Sequence, residues 1–151
     1  MKVRGDFVTN SSSSSFILGF KNKAEITDII KRELPSYWSE NAIQSVISDV
    51  EDGIISKEEA VKAYKDSISY WGWVFNGKTC WDMTREERMS KEWIDFKEAK
   101  INEEADMFAC ELNKYDVISI VEYEDHTDIG SILEHNIMPY LSNTVKRISH
   151  H

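Results

Sequence analysis

The chain of 151 residues carries 18 Lys and Arg against 27 Asp and Glu, which gives a formal net charge of −9. This length suits a single domain, expected to span residues 1–151, that buries enough apolar surface to fold without a disulfide or a structural metal. So acidic a chain is a poor partner for duplex nucleic acid, because that binding depends on basic groups that neutralise phosphates. The charge suits a protein partner with a basic surface, or serves solubility alone.

The sequence indicates a protein of a reducing compartment. Its start, MKVRGDFV, lacks the apolar segment of a secretory signal, and no window approaches the roughly 18 apolar residues of a membrane span. Two cysteines, Cys80 and Cys110, have no CxxC spacing, and we expect two buried thiols rather than a disulfide or a metal pair. We therefore expect a cytoplasmic protein that does not bind membranes.

The first half of the chain predicts two short strands and three helices. Val, Phe, Ile and Leu residues favour strands, and apolar spacing of three and four favours amphipathic helices. Pro35 ends the first helix, Gly53 ends the second, and a capping box at Ser56 opens the third. The predicted strands cover residues 2–8 and 15–20, and the predicted helices cover residues 24–34, 40–51 and 56 to about 70.

The second half begins with aromatic runs around Asn76-Gly77, a strong hairpin signal. A capping box at Thr84 opens one long predicted helix to about residue 112. A strand, a short helix and a strand follow, at residues 116–123, 130–138 and 144–149. These elements predict an α+β domain with a small mixed sheet from N- and C-terminal strands packed against a helical middle. The last three elements fit one right-handed parallel crossover.

Five consecutive serines separate the two N-terminal strands, and we expect them to form an ordered hairpin loop. Three interpretations of the loop stay open: a plain connection, an anion site built from backbone N–H groups and hydroxyls, or an exposed docking segment for a partner. Partners for the hydroxyls are expected near residues 125–128 and 150–151. The candidate anion- or partner-binding residues in the run are Asn10, Ser11, Ser12, Ser13, Ser14 and Ser15.

The segment from Arg4 to Leu18, with its string DFVTNSSSSSFIL, resembles a set of uncharacterised small proteins of Gram-positive bacteria and their phages. These proteins open with a similar FVxNSSSSSF-like string, and the likeness at RISHH, residues 147–151, is looser. The resemblance implies a phage or mobile-element context. It implies no activity, cofactor or site residue.

All four histidines lie in the C-terminal part of the chain, among acidic residues. Imidazole and carboxylate groups together form metal sites and general acid–base pairs. If the strands at 116–123 and 144–149 are parallel, the groups that follow them meet at one sheet edge. Surface histidines and a frayed terminus are the alternative, since no HExxH spacing is present. The catalytic candidates are His126, Asp128, His150 and His151; the candidates for a divalent metal are Asp125, His126, Asp128, His135, His150 and His151.

Two further patterns bear on function. Residues 48–59 resemble the rear half of an EF-hand loop, but Val50 offers no oxygen at a ligand position, and we expect no calcium effect. Trp71 and Trp73, with Trp81 nearby, form an aromatic cluster that is either core or a partner-binding surface.

These patterns predict an accessory protein that binds a protein partner. The alternative is a small metal- or phosphate-dependent hydrolase that uses the serine run and the histidine–carboxylate cluster. Convergence of the serines, His126, Asp128 and His150 on one concave pocket would favour the hydrolase.

Overall fold

A computed structural model describes residues 12–150 of the chain. The predicted strand at residues 2–8 and the candidates Asn10, Ser11 and His151 lie outside the described residues. The strands are β1 (Ser13–Phe20), β2 (Ile54–Ile55), β3 (Val117–Glu124) and β4 (Thr144–His150). The helices are α1 (Ala24–Glu33), α2 (Glu40–Asp52), α3 (Lys57–Ser67), α4 (Arg85–Arg88), α5 (Lys91–Leu112) and α6 (Asp128–Ile132). A π-helical turn at Leu133–Ile137 and a 3₁₀ turn at Met138–Tyr140 continue α6.

The described strands form one four-stranded sheet in the order β2-β3-β1-β4. The α+β class, with a sheet from N- and C-terminal strands, is thereby confirmed. β1 pairs antiparallel with β3 on one side and with β4 on the other. β3 and β4 therefore run in the same direction, but β1 lies between them, so the predicted strand–helix–strand unit joins two strands that do not pair directly.

The predicted serine loop is wrong for Ser13 and Ser14, because β1 begins at Ser13, two residues before the predicted strand at residues 15–20. Their backbone groups continue the ladders to both neighbouring strands: Ser13 lies opposite Glu124 of β3 and opposite His150 of β4. Strand pairing here outweighs the absence of apolar side chains, because the hydroxyls find polar partners of their own.

The main core lies between one face of the sheet and helices α1 and α2. Phe16, Leu18 and Phe20 point to this face and pack with apolar residues of both helices. Ile17, on the opposite face of β1, is also fully buried. A strand buried on both faces explains the unbroken apolar run after the serines.

Local sequence signals set most helix boundaries. The Ser39 hydroxyl accepts from the backbone N–H of Ala42 at the start of α2, and Gly53 ends that helix as predicted. The sequence reasoning missed β2, whose two residues pair with β3 directly after Gly53. The capping box at Thr84 is present, but the helix it opens ends at Arg88.

The predicted long helix is therefore two helices. Ser90 accepts at its hydroxyl from the backbone N–H of Trp93, and so acts as a separate cap for α5. Asn76 and Gly77 adopt φ angles of 52° and 79°, which form the predicted turn. Only the bridge from Phe75 to Lys78 flanks it, so the predicted hairpin strands are absent there.

The chain divides into two compact units. The first contains the sheet, α1 and α2, and runs to Ala60 and again from Glu111. The second unit, Val61–Cys110, has its own small core of Cys80, Met83 and Trp93, against which Tyr70, Phe75 and Phe96 pack. The single domain stays a prediction. None of the helices in residues 12–150 is both long and apolar enough to cross a membrane.

Replacing Gly53 by Ala is expected to destabilise the first unit. A Cβ at this position would overlap the carbonyl oxygen of Ile120, and backbone atoms of β3 cannot turn aside as a flexible side chain can. We expect the free energy of unfolding to fall by roughly 1–3 kcal/mol in chemical denaturation. Gly72→Ala is the control, since nothing lies within 4 Å of a Cβ at Gly72. Equal effects of the two substitutions would contradict the close approach at Gly53.

Candidate functional site

The start of β1 carries polar side chains on both faces of the sheet. Successive side chains of a strand point to opposite faces. Ser12 and Ser14 therefore share the face of the main core, and Ser13 and Ser15 share the other. Together with their partners on β3, β4 and the π-helical turn, these serines form what we call the polar edge. Its residues are Ser12, Ser13, Ser14, Ser15, Glu122, Asp125, Glu134, His135, Arg147 and His150.

On the core face, Ser12 connects two carboxylates. Its backbone N–H donates to Asp125 Oδ1 at 3.1 Å. Its hydroxyl oxygen lies 2.9 Å from Asp125 Oδ2 and 2.7 Å from Glu134 Oε1. Glu134 is fully buried, and His135 Nε2 lies 3.0 Å from its Oε1. One ligand atom from each of Asp125, Glu134 and His135 lies within 4.8 Å of the others.

On the opposite face, Ser15 and His150 form a second polar contact. Ser15 Oγ lies 2.9 Å from His150 Nε2, and the Ser13 hydroxyl donates to Glu122 Oε2 at 3.3 Å. Glu122 Oε2 is also 3.8 Å from His150 Nε2. Ser15 is largely buried, whereas His150 is exposed. Ser15 and His150 thus form a serine–histidine pair. The Glu122 carboxylate lies beside the same ring nitrogen of His150, Nε2, that Ser15 contacts.

The structure separates the other predicted site residues from this arrangement. His126 is exposed, and its Nδ1 lies 2.7 Å from Glu124 Oε2. Asp128 is exposed at the first position of α6. Ser14, a candidate for partner contact, is buried and accepts a hydrogen bond from Arg147 Nε at 3.1 Å. Ser14 and Ser15 are therefore unavailable as an exposed docking segment.

Sequence reasoning missed Glu134 as a site residue, although one signal was available. Gly130, Glu134 and Met138 are spaced by four residues and are all buried. Residues at this spacing share a helix face, so a carboxylate at the middle position lies on the face that turns inward. A charged residue on a buried helix face is a candidate functional group.

A cleft in the first unit lies between α2, the end of β3 and α6. Its lining includes Asp49, Tyr123, Thr127 and Ile129. The Tyr123 hydroxyl donates to Asp49 Oδ2 at 3.1 Å, and burial together with the Asp49 charge raises the pKa of Tyr123 above its ordinary value. Tyr123 therefore stays a neutral donor. His126, Asp128 and His150 do not line this cleft.

The second unit exposes two tryptophans whose rings contact each other at an interplanar angle of 38°. The ring centroids of Trp71 and Trp81 are 4.8 Å apart, and the two side chains are 38% and 74% exposed. We call this pair the aromatic surface. Trp73, predicted with Trp71 as a binding residue, is half-buried, and Lys100 Nζ lies 4.4 Å from its ring centre.

The EF-hand-like segment forms the end of α2, β2 and the start of α3. Val50, at the second expected ligand position, is fully buried, and its carbonyl accepts from the Ser119 hydroxyl at 2.6 Å. The absence of a calcium effect stays a prediction. Both cysteines are free; Cys80 is buried as expected, but Cys110 is exposed, so that expectation is wrong for the thiol on α5.

No protein-family model matches the chain, and no curated protein or solved structure is significantly similar to it. The resemblance of its N-terminal string to a set of Gram-positive and phage proteins therefore stays a hypothesis. The function is therefore inferred from the geometry of the polar edge and of the aromatic surface.

Ser12→Ala is expected to destabilise the protein more than Ser13→Ala. The first removes a hydroxyl that lies between two carboxylates, one of them fully buried, and we expect a cost of about 1–3 kcal/mol in unfolding free energy. The Ser13 hydroxyl donates to the exposed Glu122, and its loss is expected to cost about 0.5 kcal/mol or less. Urea unfolding in the presence of a chelator measures both. A Ser12→Ala variant as stable as Ser13→Ala would show that the hydroxyl does not stabilise the edge.

Proposed function

We propose that the chain is a small acidic accessory protein of a phage or mobile element that acts in the cytoplasm by binding a protein partner. The observation that carries the proposal is the exposed pair of Trp71 and Trp81. Tryptophan is enriched among the residues that dominate protein interfaces, because it brings a large apolar area at a small cost in conformational entropy. The net charge of −9 disfavours duplex nucleic acid as the alternative partner.

Packing contacts within the second unit fix the position of Trp71 in the aromatic surface. Trp71 stacks on Tyr70, and Tyr70 in turn contacts the buried ring of Trp93. Lys97 Nζ lies 4.6 Å from the ring centre of Tyr70 and makes a cation–π contact with it. A surface that is ordered before binding loses less entropy when a partner docks.

The chemistry of the surface also suggests the partner. Asp82 follows Trp81 directly, and Glu86 is the second residue of α4; both are exposed. We expect a partner that receives the tryptophans in an apolar pocket with a basic rim. Such charge complementarity speeds association and makes it sensitive to salt.

A capture experiment tests this function. The protein, with a tag kept away from the aromatic surface, is incubated with a lysate of a Gram-positive bacterium, with and without phage infection. We expect the double variant Trp71→Ala/Trp81→Ala to bind the captured protein at least about 30-fold more weakly than wild type. Tyr37→Ala is the control, since Tyr37 is 83% exposed but lies in the first unit. Unchanged capture by the double variant, with its circular dichroism intact, would refute the proposal.

A second candidate, the small hydrolase, has one observation in its favour: Ser15 Oγ lies 2.9 Å from His150 Nε2. Against it, the imidazole of His126 pairs with Glu124 and not with Ser15, and Ser15 is largely buried. Assays with ester and phosphate-ester substrates, with and without Mn²⁺, test the hydrolase directly. Turnover by wild type that Ser15→Ala abolishes would move the assignment from accessory protein to enzyme.

A further inference from the structure

The Ser12 hydroxyl cannot donate a hydrogen bond to both of the carboxylates that it contacts, Asp125 and Glu134. A serine hydroxyl has one proton to donate. Here the hydroxyl oxygen lies within hydrogen-bond distance of Asp125 Oδ2 and of Glu134 Oε1, at 2.9 and 2.7 Å. When it donates to one carboxylate, its lone pairs face the other at that short distance. Two negative groups and an oxygen lone pair then repel each other.

The remaining donors do not remove this repulsion. Among the described residues, the Ser12 backbone N–H binds Asp125 Oδ1, and His135 Nε2 lies beside Glu134 Oε1. Glu134 is fully buried, so solvent cannot screen its charge. A positive group reached by both carboxylates would balance the arrangement.

We propose that Asp125, Glu134 and His135 bind a first-row divalent cation of the Zn²⁺ or Mn²⁺ type. Their ligand atoms already lie within 4.8 Å of one another, and one imidazole with two carboxylates is a donor set that these cations accept. Mg²⁺ and Ca²⁺ prefer oxygen ligands alone, so the imidazole selects against them. The Ser12 hydroxyl then no longer has to serve both carboxylates and orients one ligand.

The position of the three ligands suggests what the cation does. Asp125 follows β3, and Glu134 and His135 lie in the π-helical turn. Ser12, bonded to Asp125 and Glu134, immediately precedes β1. The cation therefore joins the beginning of the central strand to the connection between β3 and β4. His135 is 43% exposed at its side chain, which leaves a route from solvent to the site.

The competing explanation is a hydrogen-bonded cluster with no cation. The two explanations differ in what stabilises the protein: a cation makes thermal stability depend on metal, whereas a cluster of protein groups alone does not.

Calorimetric titration of the full chain with ZnCl₂ and with MnCl₂, after chelator treatment, tests the proposal. We expect one site and a melting temperature that rises with added cation. Glu134→Gln and His135→Asn are expected to weaken Zn²⁺ binding at least about 100-fold, since even residues that only orient metal ligands contribute 10–100-fold. His135 is exposed, so His135→Asn keeps the fold even if the change at Glu134 does not.

Two control variants distinguish Zn²⁺ binding at this site from Zn²⁺ binding at other histidines. His126→Asn removes an exposed imidazole that also lies beside a glutamate, and His150→Asn removes the imidazole on the opposite face of the sheet. Both variants should bind Zn²⁺ at the high-affinity site as wild type does. Equal losses in His126→Asn and His135→Asn would overturn the site in favour of surface binding. No binding of Zn²⁺ or Mn²⁺ by wild type, with Glu134→Gln as stable as wild type at every metal concentration, would overturn the cation site.

This inference does not depend on the proposed partner surface, because the cation ligands belong to the first unit and Trp71 and Trp81 to the second. A failure to bind metal would not count against the proposed partner surface. A failure to capture a partner would not count against the cation site.

Discussion

The central position of β1 is the constraint on which the rest of the first unit depends. β1 pairs with β3 and β4 along both edges, so its side chains have only the two faces of the sheet available. The apolar half of the strand fills both faces, with Phe16 on one and Ile17 on the other. The serine half meets the same demand differently: each hydroxyl needs a polar partner, and the ends of β3 and β4 supply carboxylates, an imidazole and a guanidinium.

This constraint also explains why the polar residues of the C-terminal part gather at one place. β3 and β4 are parallel to each other because both run antiparallel to the strand between them. Their ends therefore meet at the edge where β1 begins. Ser12 and the strand ends come together without any loop that wraps back across the sheet. The surroundings of the serines are mostly carboxylates, which favours a cation over an anion at the core face.

The sequence predicted the positions of helices and strands better than the pairing of the strands and the contacts of their side chains. Apolar periodicity placed α1, α2 and β3 within a few residues, because these segments bury one clear stripe or run. β4 was placed equally well, although Ile148 is its only buried residue. Apolar periodicity failed at Ser13 and Ser14, where pairing with distant strands decides the conformation and no local sequence pattern indicates it. It also failed at Ser90, a cap inside an apparently continuous helix. The candidate site was found in part: Asp125, His135 and His150 were named, but Glu134 was missed, although its spacing from Gly130 and Met138 places it on a buried helix face.

The burial of Glu134 is the strongest reason to regard the polar edge as a functional site and not only as a part of the fold. A buried carboxylate generally makes a fold less stable than an apolar residue of similar size would. Met138, which shares the helix face of Glu134, and the adjacent Leu133 are both apolar and buried. The structure instead holds a carboxylate at Glu134 and builds its contacts from Ser12 and His135. Residues that oppose stability in this way concentrate at functional sites, because binding a ligand offsets what folding alone does not favour.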